Sequence, residues 1–171
     1  TESTPVTISQ YDYSYDEVGN PEVMHVINAT GTETNVSYDY DRAYRLTDES
    51  YVLLGGATTG NEYQYDRAGN RTVMEDADGN QTRYHYNNND ELIRVDNVNE
   101  YTHETYEYDA RGNLIEVTLN QNGVIAVPVA TSTYTYNARD QLTRLELPTT
   151  GRIDFGYDYN GNRVRMEMDG M

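Results

Sequence analysis

The chain has 171 residues, 29 acidic against 12 basic side chains, and no cysteine. Without cysteine it has neither disulfides nor cysteine-ligated metal sites, and its net charge of −17 should repel nucleic acid and anionic membranes. No apolar run is long enough for a membrane-spanning helix.

Most of the 18 tyrosines recur in a pattern of two aromatic residues separated by one residue, then Asp or Asn, then a turn. Four copies carry the whole pattern: Tyr13, Tyr15, Asp16, Gly19 and Asn20; Tyr63, Tyr65, Asp66, Gly69 and Asn70; Tyr106, Tyr108, Asp109, Gly112 and Asn113; and Phe155, Tyr157, Asp158, Gly161 and Asn162. Three degenerate copies without Gly-Asn alternate with them: Tyr38, Tyr40 and Asp41; Tyr84 and Tyr86; and Tyr134 and Tyr136. The alternation suggests that the structural period is a pair of copies.

Each copy predicts a β-hairpin. Tyr-x-Tyr places both rings on one face of a strand, because successive side chains alternate. Asp can accept backbone N–H groups at the start of the following loop, and Gly tolerates its left-handed conformation. Asp90 and Asp140 stand at the glycine position of two degenerate copies and tolerate it too. Tyr44 stands there in the third, so we expect a different loop after Asp41.

A second strand is expected to return after each loop. Five residues beyond the glycine position the chain has an apolar residue in every copy but one, where Glu49 stands: Met24, Met74, Val95, Val117, Leu145 and Met166. Apolar alternation there predicts a strand on the same core. Candidate turns back to the next copy contain Gly31, Gly55-Gly56, Asp78-Gly79-Asn80, Asn122-Gly123 and Gly151.

The pattern predicts an all-β fold of tandem antiparallel hairpins that forms one long curved sheet. We expect residues 1–171 to be a single array of about seven units that begin near residues 13, 38, 63, 84, 106, 134 and 155. A repeat array needs terminal caps, and neither end of the sequence resembles one. We therefore expect a segment of a much larger protein.

The tandem Tyr-Asp-x-x-Gly-Asn units resemble the YD-repeat or RHS (rearrangement hot spot) family, which includes polymorphic toxins, B/C components of insecticidal toxin complexes and teneurins. The resemblance implies a hollow β-shell, enclosing an effector in toxins, in a very large secreted or cell-surface protein. The implied partners are flanking repeats of the same polypeptide, together with an encapsulated effector, a neighbouring subunit or surface glycans. Residues 1–6 show no signal peptide.

Neither catalysis nor a cofactor is expected. The self-cleaving core of the family's toxins has an Asp-Pro-x-Gly motif, and no proline here follows aspartate. Asp76, Asp78 and Asn80 resemble half of a calcium loop, but position six lacks glycine and position twelve lacks glutamate, so a hairpin turn explains them better. The histidines have no metal-ligand spacing and are expected on the surface: His25, His85 and His103.

The tyrosine rings allow two interpretations. We expect them to pack inward as the core, with rings stacked between units, because the chain has one phenylalanine and no tryptophan. Exposed rings would instead suit a carbohydrate-binding adhesin, and open sheet edges would suit a self-assembling extracellular filament. The predicted function is a non-catalytic structural segment of a β-shell that encapsulates or displays another domain.

Overall fold

A computed structural model describes residues 8–53, 56, 58–121, 127–149 and 151–169. The proposed turn residues Gly55, Asn122 and Gly123, and the segment 1–6, lie outside these ranges. The chain divides into two compact units, residues 1–81 and residues 82–171.

All described regular structure is β-strand, as the motif predicts. The first unit contains β1 Ser9–Tyr15, β2 Pro21–Asn28, β3 Glu33–Tyr40, β4 Leu46–Leu53, β5 Thr58–Tyr65 and β6 Arg71–Asp76. The strand β7 Gln81–Tyr86 begins at the boundary, and the second unit continues with β8 Leu92–Asn97, β9 Thr102–Tyr108, β10 Leu114–Gln121, β11 Val127–Tyr136, β12 Leu142–Leu147, β13 Gly151–Tyr157 and β14 Arg163–Asp169. Within each unit every strand pairs antiparallel with its neighbours in the chain. The described part of the chain contains no helix that could cross a membrane.

One register is repeated in all seven hairpins. The first aromatic residue of each copy lies opposite the fifth residue after the glycine position. The pairs are Tyr13–Met24, Tyr38–Glu49, Tyr63–Met74, Tyr84–Val95, Tyr106–Val117, Tyr134–Leu145 and Phe155–Met166. Each hairpin has a bulge close to its loop, as expected when a type I turn is followed by a left-handed residue.

The two faces of the strands differ as the tyrosine spacing predicts. Directly opposite residues share a face, so the motif rings and their partners define one face, which we call the ring face. The other is the polar face. The buried hydrophobic side chains Val36, Val95 and Ile153 lie on the ring face. The polar face holds three buried polar residues, His103, Thr118 and Asn120.

The motif tyrosines are less deeply buried than the expectation of a packed tyrosine core requires. From β3 onward the motif rings are only half-buried, and in β1 Tyr13 and Tyr15 are 48% and 58% exposed. The ring centroids of Tyr13 and Tyr15 lie 6.1 Å apart, so these two rings stack within one strand. The physical reason is that strand contacts among the described residues of each unit run only between chain neighbours, so no second layer of strands within the unit covers the rings there.

Candidate functional site: motif loops and ring face

The seven motif loops share one backbone geometry. They span residues 16–20, 41–45, 66–70, 87–91, 109–113, 137–141 and 158–162. In each loop, the N–H of the first residue donates to the carbonyl of the fifth residue at 2.8–3.0 Å. The N–H of the fourth residue donates to the carbonyl of the first residue at 3.0–3.4 Å. The fourth residue is left-handed in every loop, for example Gly69 with φ 102° and Asp140 with φ 58°.

The expectation of a different loop at Tyr44 is wrong. Tyr44 adopts φ 61°, and its loop closes with the usual two hydrogen bonds at 2.9 and 3.0 Å. The Asp41 side chain explains this, because its Oδ1 accepts the N–H groups of Ala43 and Arg45. The hydrogen bonds of the loop therefore outweigh the cost of a left-handed tyrosine, which is about 1–2 kcal/mol.

The first and fifth side chains of each loop are chemically complementary. In the full copies Asn donates through Nδ2 to the Asp carboxylate, for example from Asn113 to Asp109 at 3.0 Å. The hydrogen bonds from Asn113 lower the pKa of Asp109. Two degenerate copies reverse the donor, since Asn87 donates to Glu91 at 2.6 Å and Asn137 donates to Gln141. The sequence analysis does not identify Glu91 and Gln141, the fifth residues of these two loops, as side-chain partners of the first residue.

Neighbouring loops are joined by side chains that reach from one loop to the next. In the first unit the guanidinium of Arg45 donates to the carbonyl of Asp66 at 2.8 Å. In the second unit Arg111 forms an ion pair with Asp140 at 2.8 Å, and Asn113 donates to the same carboxylate at 2.9 Å. Gln141 then donates to the carbonyl of Gly161 at 3.2 Å. These contacts fix the spacing between successive hairpins.

The second tyrosine of a full copy is bonded to the preceding degenerate copy. The hydroxyl groups of Tyr65, Tyr108 and Tyr157 donate to backbone carbonyls at 2.8–2.9 Å. Their acceptors are Leu46, Leu92 and Leu142, each the first residue of a returning strand. The contact joins copies in twos, which agrees with the alternation of full and degenerate copies in the sequence.

Arginine side chains also lie over the rings. The guanidinium of Arg45 is 4.7 Å from the ring centre of Tyr65, and that of Arg163 is 5.5 Å from Phe155. Such cation–π contacts contribute about 0.5–1 kcal/mol at exposed sites. They cover part of the aromatic surface of the ring face.

Glu49 brings a carboxylate onto the ring face, where the other copies have an apolar residue. Its Oε1 accepts hydrogen bonds from the hydroxyl of Tyr63 at 2.6 Å and from Nδ2 of Asn61 at 2.8 Å. Burial raises the pKa of Glu49, but hydrogen bonds from Tyr63, Asn61 and Tyr51 outweigh it and lower the pKa overall. Burial and the bond to Glu49 raise the pKa of Tyr63 to about 12. The Glu49 carboxylate therefore uses its hydrogen-bonding capacity within the sheet, which indicates a structural role.

The polar face of the first unit carries a row of carboxylates. Asp39 lies opposite Asp48, Asp48 opposite Glu62, and Glu62 opposite Glu75. None of the ion pairs among the described residues includes Asp39, Asp48 or Glu62. Like charges directly opposite each other destabilise a sheet. This row therefore reduces the stability of the first unit.

The second unit has two clusters of paired charges on its polar face, although Glu107 also lies opposite Glu116 there. Asp96 accepts from Arg94 at 2.6 Å and contacts His85 at 2.7 Å. Asp154 contacts both Arg144 and Arg152, at 3.0 and 2.7 Å. These ion pairs lie on the polar face and are partly exposed, so each contributes little by itself.

The remaining candidate residues have structural surroundings. Asp76 closes a hairpin loop, because its Oδ1 accepts the N–H groups of Asp78 and Asn80. No group of three metal-ligating side chains occurs within the described ranges. His85 is exposed as expected, but His103 is 5% exposed, so the expectation of a surface histidine is wrong for His103. It lies on the polar face opposite Asp96 and Asn120.

Sequence comparison identifies the family that has this repeat. A family profile described as Teneurin YD-shell matches residues 4–170. The chain belongs to this YD-shell family. None of the curated protein sequences matches it. The YD-shell assignment agrees with the resemblance based on the Tyr-Asp-x-x-Gly-Asn units.

Solved structures with a similar fold include toxin complexes. The chain resembles the TcdB2-TccC3 crystal structure with a TM-score of 0.66 at 19% identity, over 93% of this chain. It also resembles the Tc holotoxin pore of Photorhabdus luminescens with a TM-score of 0.67 at 20% identity, over 91% of this chain. The chain spans only 9% of the length of either structure's matched chain. At this identity the likeness shows the fold alone.

The hydroxyl bond between copies can be tested with Tyr157→Phe. The variant removes the donor to the Leu142 carbonyl, so we expect unfolding free energy to fall by about 1 kcal/mol. Tyr159→Phe is the matched control, because Tyr159 is 89% exposed and should change stability by less than about 0.5 kcal/mol. Urea denaturation measures both. Equal effects of the two variants would contradict a stabilising role for the Tyr157 hydroxyl.

The left-handed loop positions predict different effects on stability for two glycine substitutions. Tyr44→Gly relieves an unfavourable left-handed side chain and should stabilise the chain by up to about 1 kcal/mol. Asp140→Gly relieves similar backbone strain but loses the contacts to Arg111 and Asn113, so its gain should be smaller or negative. Thermal unfolding of both variants measures the difference. A larger gain from Asp140→Gly would show that the contacts between loops contribute nothing.

The acidic row predicts a salt-dependent effect of Glu62→Gln. Removing one carboxylate should raise the unfolding free energy by about 0.5 kcal/mol at low salt. The gain should shrink at 1 M salt, where charges more than about 3 Å apart are screened. Glu17→Gln, in the exposed loop 16–20, is the control for net charge. If both variants gain equally, the alignment of the carboxylates across the strands has no special role.

Proposed function

We propose that the chain is a non-catalytic wall segment of a β-shell, part of a large secreted or cell-surface protein that encloses or displays another domain. The single observation that carries this proposal is the register shared by all seven hairpins. A constant register lets successive hairpins add to a wall with constant geometry. Residues 1–171 would form one array of about seven units within that wall.

The contacts between hairpins support a wall. Hydroxyl bonds such as Tyr108 to Leu92 join copies across the ring face, and side chains such as Arg45 join their loops along one edge. Both kinds of contact hold neighbouring hairpins together within the sheet. The motif aromatic residues, aspartates, glycines and asparagines are therefore proposed to be structural residues, with no catalytic or cofactor-binding role.

The surroundings of the rings favour this role over carbohydrate binding. The Tyr65 hydroxyl is bonded to the Leu46 carbonyl, and Arg45 lies 4.7 Å from the centre of the ring. A sugar that stacked on Tyr65 would have to displace the guanidinium. The motif aspartates likewise use their oxygens within loops, as Asp66 does toward Asn70.

The similar toxin structures support the enclosing role. The names TcdB2-TccC3 and Tc holotoxin describe large complexes, and one related structure is TcdB2-TccC3 without its hypervariable C-terminal region. We propose that this chain likewise belongs to a carrier, with flanking repeats and an enclosed effector as its partners. Its place would be outside the cell or on the cell surface.

Protease protection tests the enclosing role in the longer polypeptide that the proposal requires. A domain inside an intact shell should resist protease until the shell unfolds, and the double variant Tyr65→Ala and Tyr108→Ala should expose it at a lower temperature. Tyr101→Ala is the control, because Tyr101 is 70% exposed. Digestion of the domain in the intact protein as fast as in isolation would refute encapsulation. Glycan binding lost on Tyr65→Ala would favour an adhesin instead.

A further inference from the structure

The arginines of the first unit are confined to two adjacent motif loops. These loops, 41–45 and 66–70, join β3 to β4 and β5 to β6. The arginines lie in the loops or directly after them: Arg42, Arg45, Arg67 and Arg71. The rest of residues 1–81 contains many acidic residues and no other arginine. The two loops therefore form one cationic patch on an acidic unit, which we call the arginine edge.

The carboxylates of these two loops are satisfied from within the loops. Asp41 forms an ion pair with Arg45 at 2.6 Å, and Oδ1 of Asp66 accepts two backbone N–H groups of its own loop. Arg42 and Arg67 are exposed. Within the described part of the chain, neither of these two side chains has an ion pair, a hydrogen bond or a ring contact. The arginine edge therefore presents two guanidinium groups that the fold does not use.

Arginines in the motif loops of the second unit have a different use. Arg111 and Arg139 each hold the third position of their loop and donate to a backbone carbonyl of the following loop, at 3.3 and 3.1 Å. Arg42 and Arg67 both hold the second position, in two successive loops. The contact between those two loops is made by Arg45 instead. The second-position arginines are therefore not needed to join the hairpins.

An exposed aromatic ring lies in the same patch. Tyr44 is left-handed with φ 61° and is 61% exposed, whereas the other motif loops have glycine or aspartate at this position. The left-handed conformation costs a tyrosine about 1–2 kcal/mol, and most of the residue stays in solvent, so the ring contributes little to stability. Backbone strain of this kind is concentrated at functional sites. The hydrogen bonds of Asp41 explain how Tyr44 is held, and they leave its ring free for a partner.

We propose that the arginine edge, together with Tyr44, binds a short acidic segment of a partner protein. Guanidinium groups pair with carboxylates through two parallel hydrogen bonds, and Arg and Tyr are enriched among the residues that dominate protein interfaces. Corresponding residues of the two loops are two strand spacings apart, about 9–10 Å. Arg42 and Arg67 can therefore contact separate carboxylates of one segment.

The surroundings of the arginine edge limit the size of the anion. The preceding motif loop carries the exposed Glu17, and the polar face of the same unit carries the row of carboxylates from Asp39 to Glu75. A membrane surface or a nucleic acid duplex that covered the unit would meet these carboxylates and be repelled. A compact acidic segment can contact the two loops alone, because charges more than about 8 Å away are largely screened at physiological salt.

The position of the arginine edge is compatible with a longer wall. Its loops lie at the ends of strands, whereas further hairpins of a wall would pair along the sides of strands. Hairpins added to the sheet would therefore not cover Arg42, Tyr44 or Arg67. The inference goes beyond the proposed function, because a wall has no need of arginines without partners. It assigns the wall a surface through which it would contact another protein.

Binding of a fluorescent oligoglutamate peptide tests the site, with an oligoglutamine peptide as the uncharged control. At physiological salt we expect the chain to bind oligoglutamate at least about tenfold more tightly, and 1 M salt should remove the difference. Arg42→Gln and Arg67→Gln should each weaken binding about fivefold or more. Arg139→Gln is the matched control, because it removes the same charge from another motif loop, and should change affinity less than about twofold. Equal binding of the two peptides, or equal effects of the three variants, would overturn the proposal.

Tyr44→Gly separates binding from folding. The variant relieves the left-handed side chain, so it should unfold at the same or a higher temperature, yet it should bind oligoglutamate about threefold or more weakly. An unchanged affinity would remove Tyr44 from the site. Tighter binding of a sulfated oligosaccharide than of oligoglutamate would overturn the assignment to an acidic protein segment. None of these results affects the protease protection of an enclosed domain, so this proposal and the proposed function can fail independently.

Discussion

The structure depends on one repeated constraint, the pairing of the first aromatic residue of each copy with the fifth residue after its left-handed loop position. The loop sets this pairing, because two backbone hydrogen bonds and one Asp or Asn side chain close it in every copy. A slip of one residue would turn the rings to the other face. The loop chemistry therefore determines which side chains share the ring face and how hairpins can follow each other.

Within each unit, contacts inside the sheet hold neighbouring hairpins together. Hydroxyl groups such as that of Tyr157 bond to the backbone of the preceding copy, and arginines lie over rings or reach the next loop. Tyrosine suits this role because its ring is apolar while its hydroxyl still needs a partner. The same property explains why half-buried rings are compatible with a chain that has few other large hydrophobic side chains.

The two units differ in how charged side chains are arranged on the polar face. The second unit pairs Asp154 with Arg144 and Arg152 on its polar face, whereas the first aligns carboxylates from Asp39 to Glu75. A shell wall must remain soluble while presenting extended strands, and net negative charge opposes association.

The sequence by itself determined the strands, the loops, the shared face of the rings and the family, because these follow from local spacing and turn chemistry. Only the tertiary structure decided how deeply the rings are buried, since burial depends on whether a second layer covers them. It also revealed the left-handed Tyr44, the Leu92 carbonyl bonded to Tyr108, and the buried His103. The Leu92 carbonyl and the buried His103 depend on neighbours that the strand pairing brings together, so no local pattern could show them. The left-handed Tyr44 depends instead on the hydrogen bonds that Asp41 accepts inside the same loop.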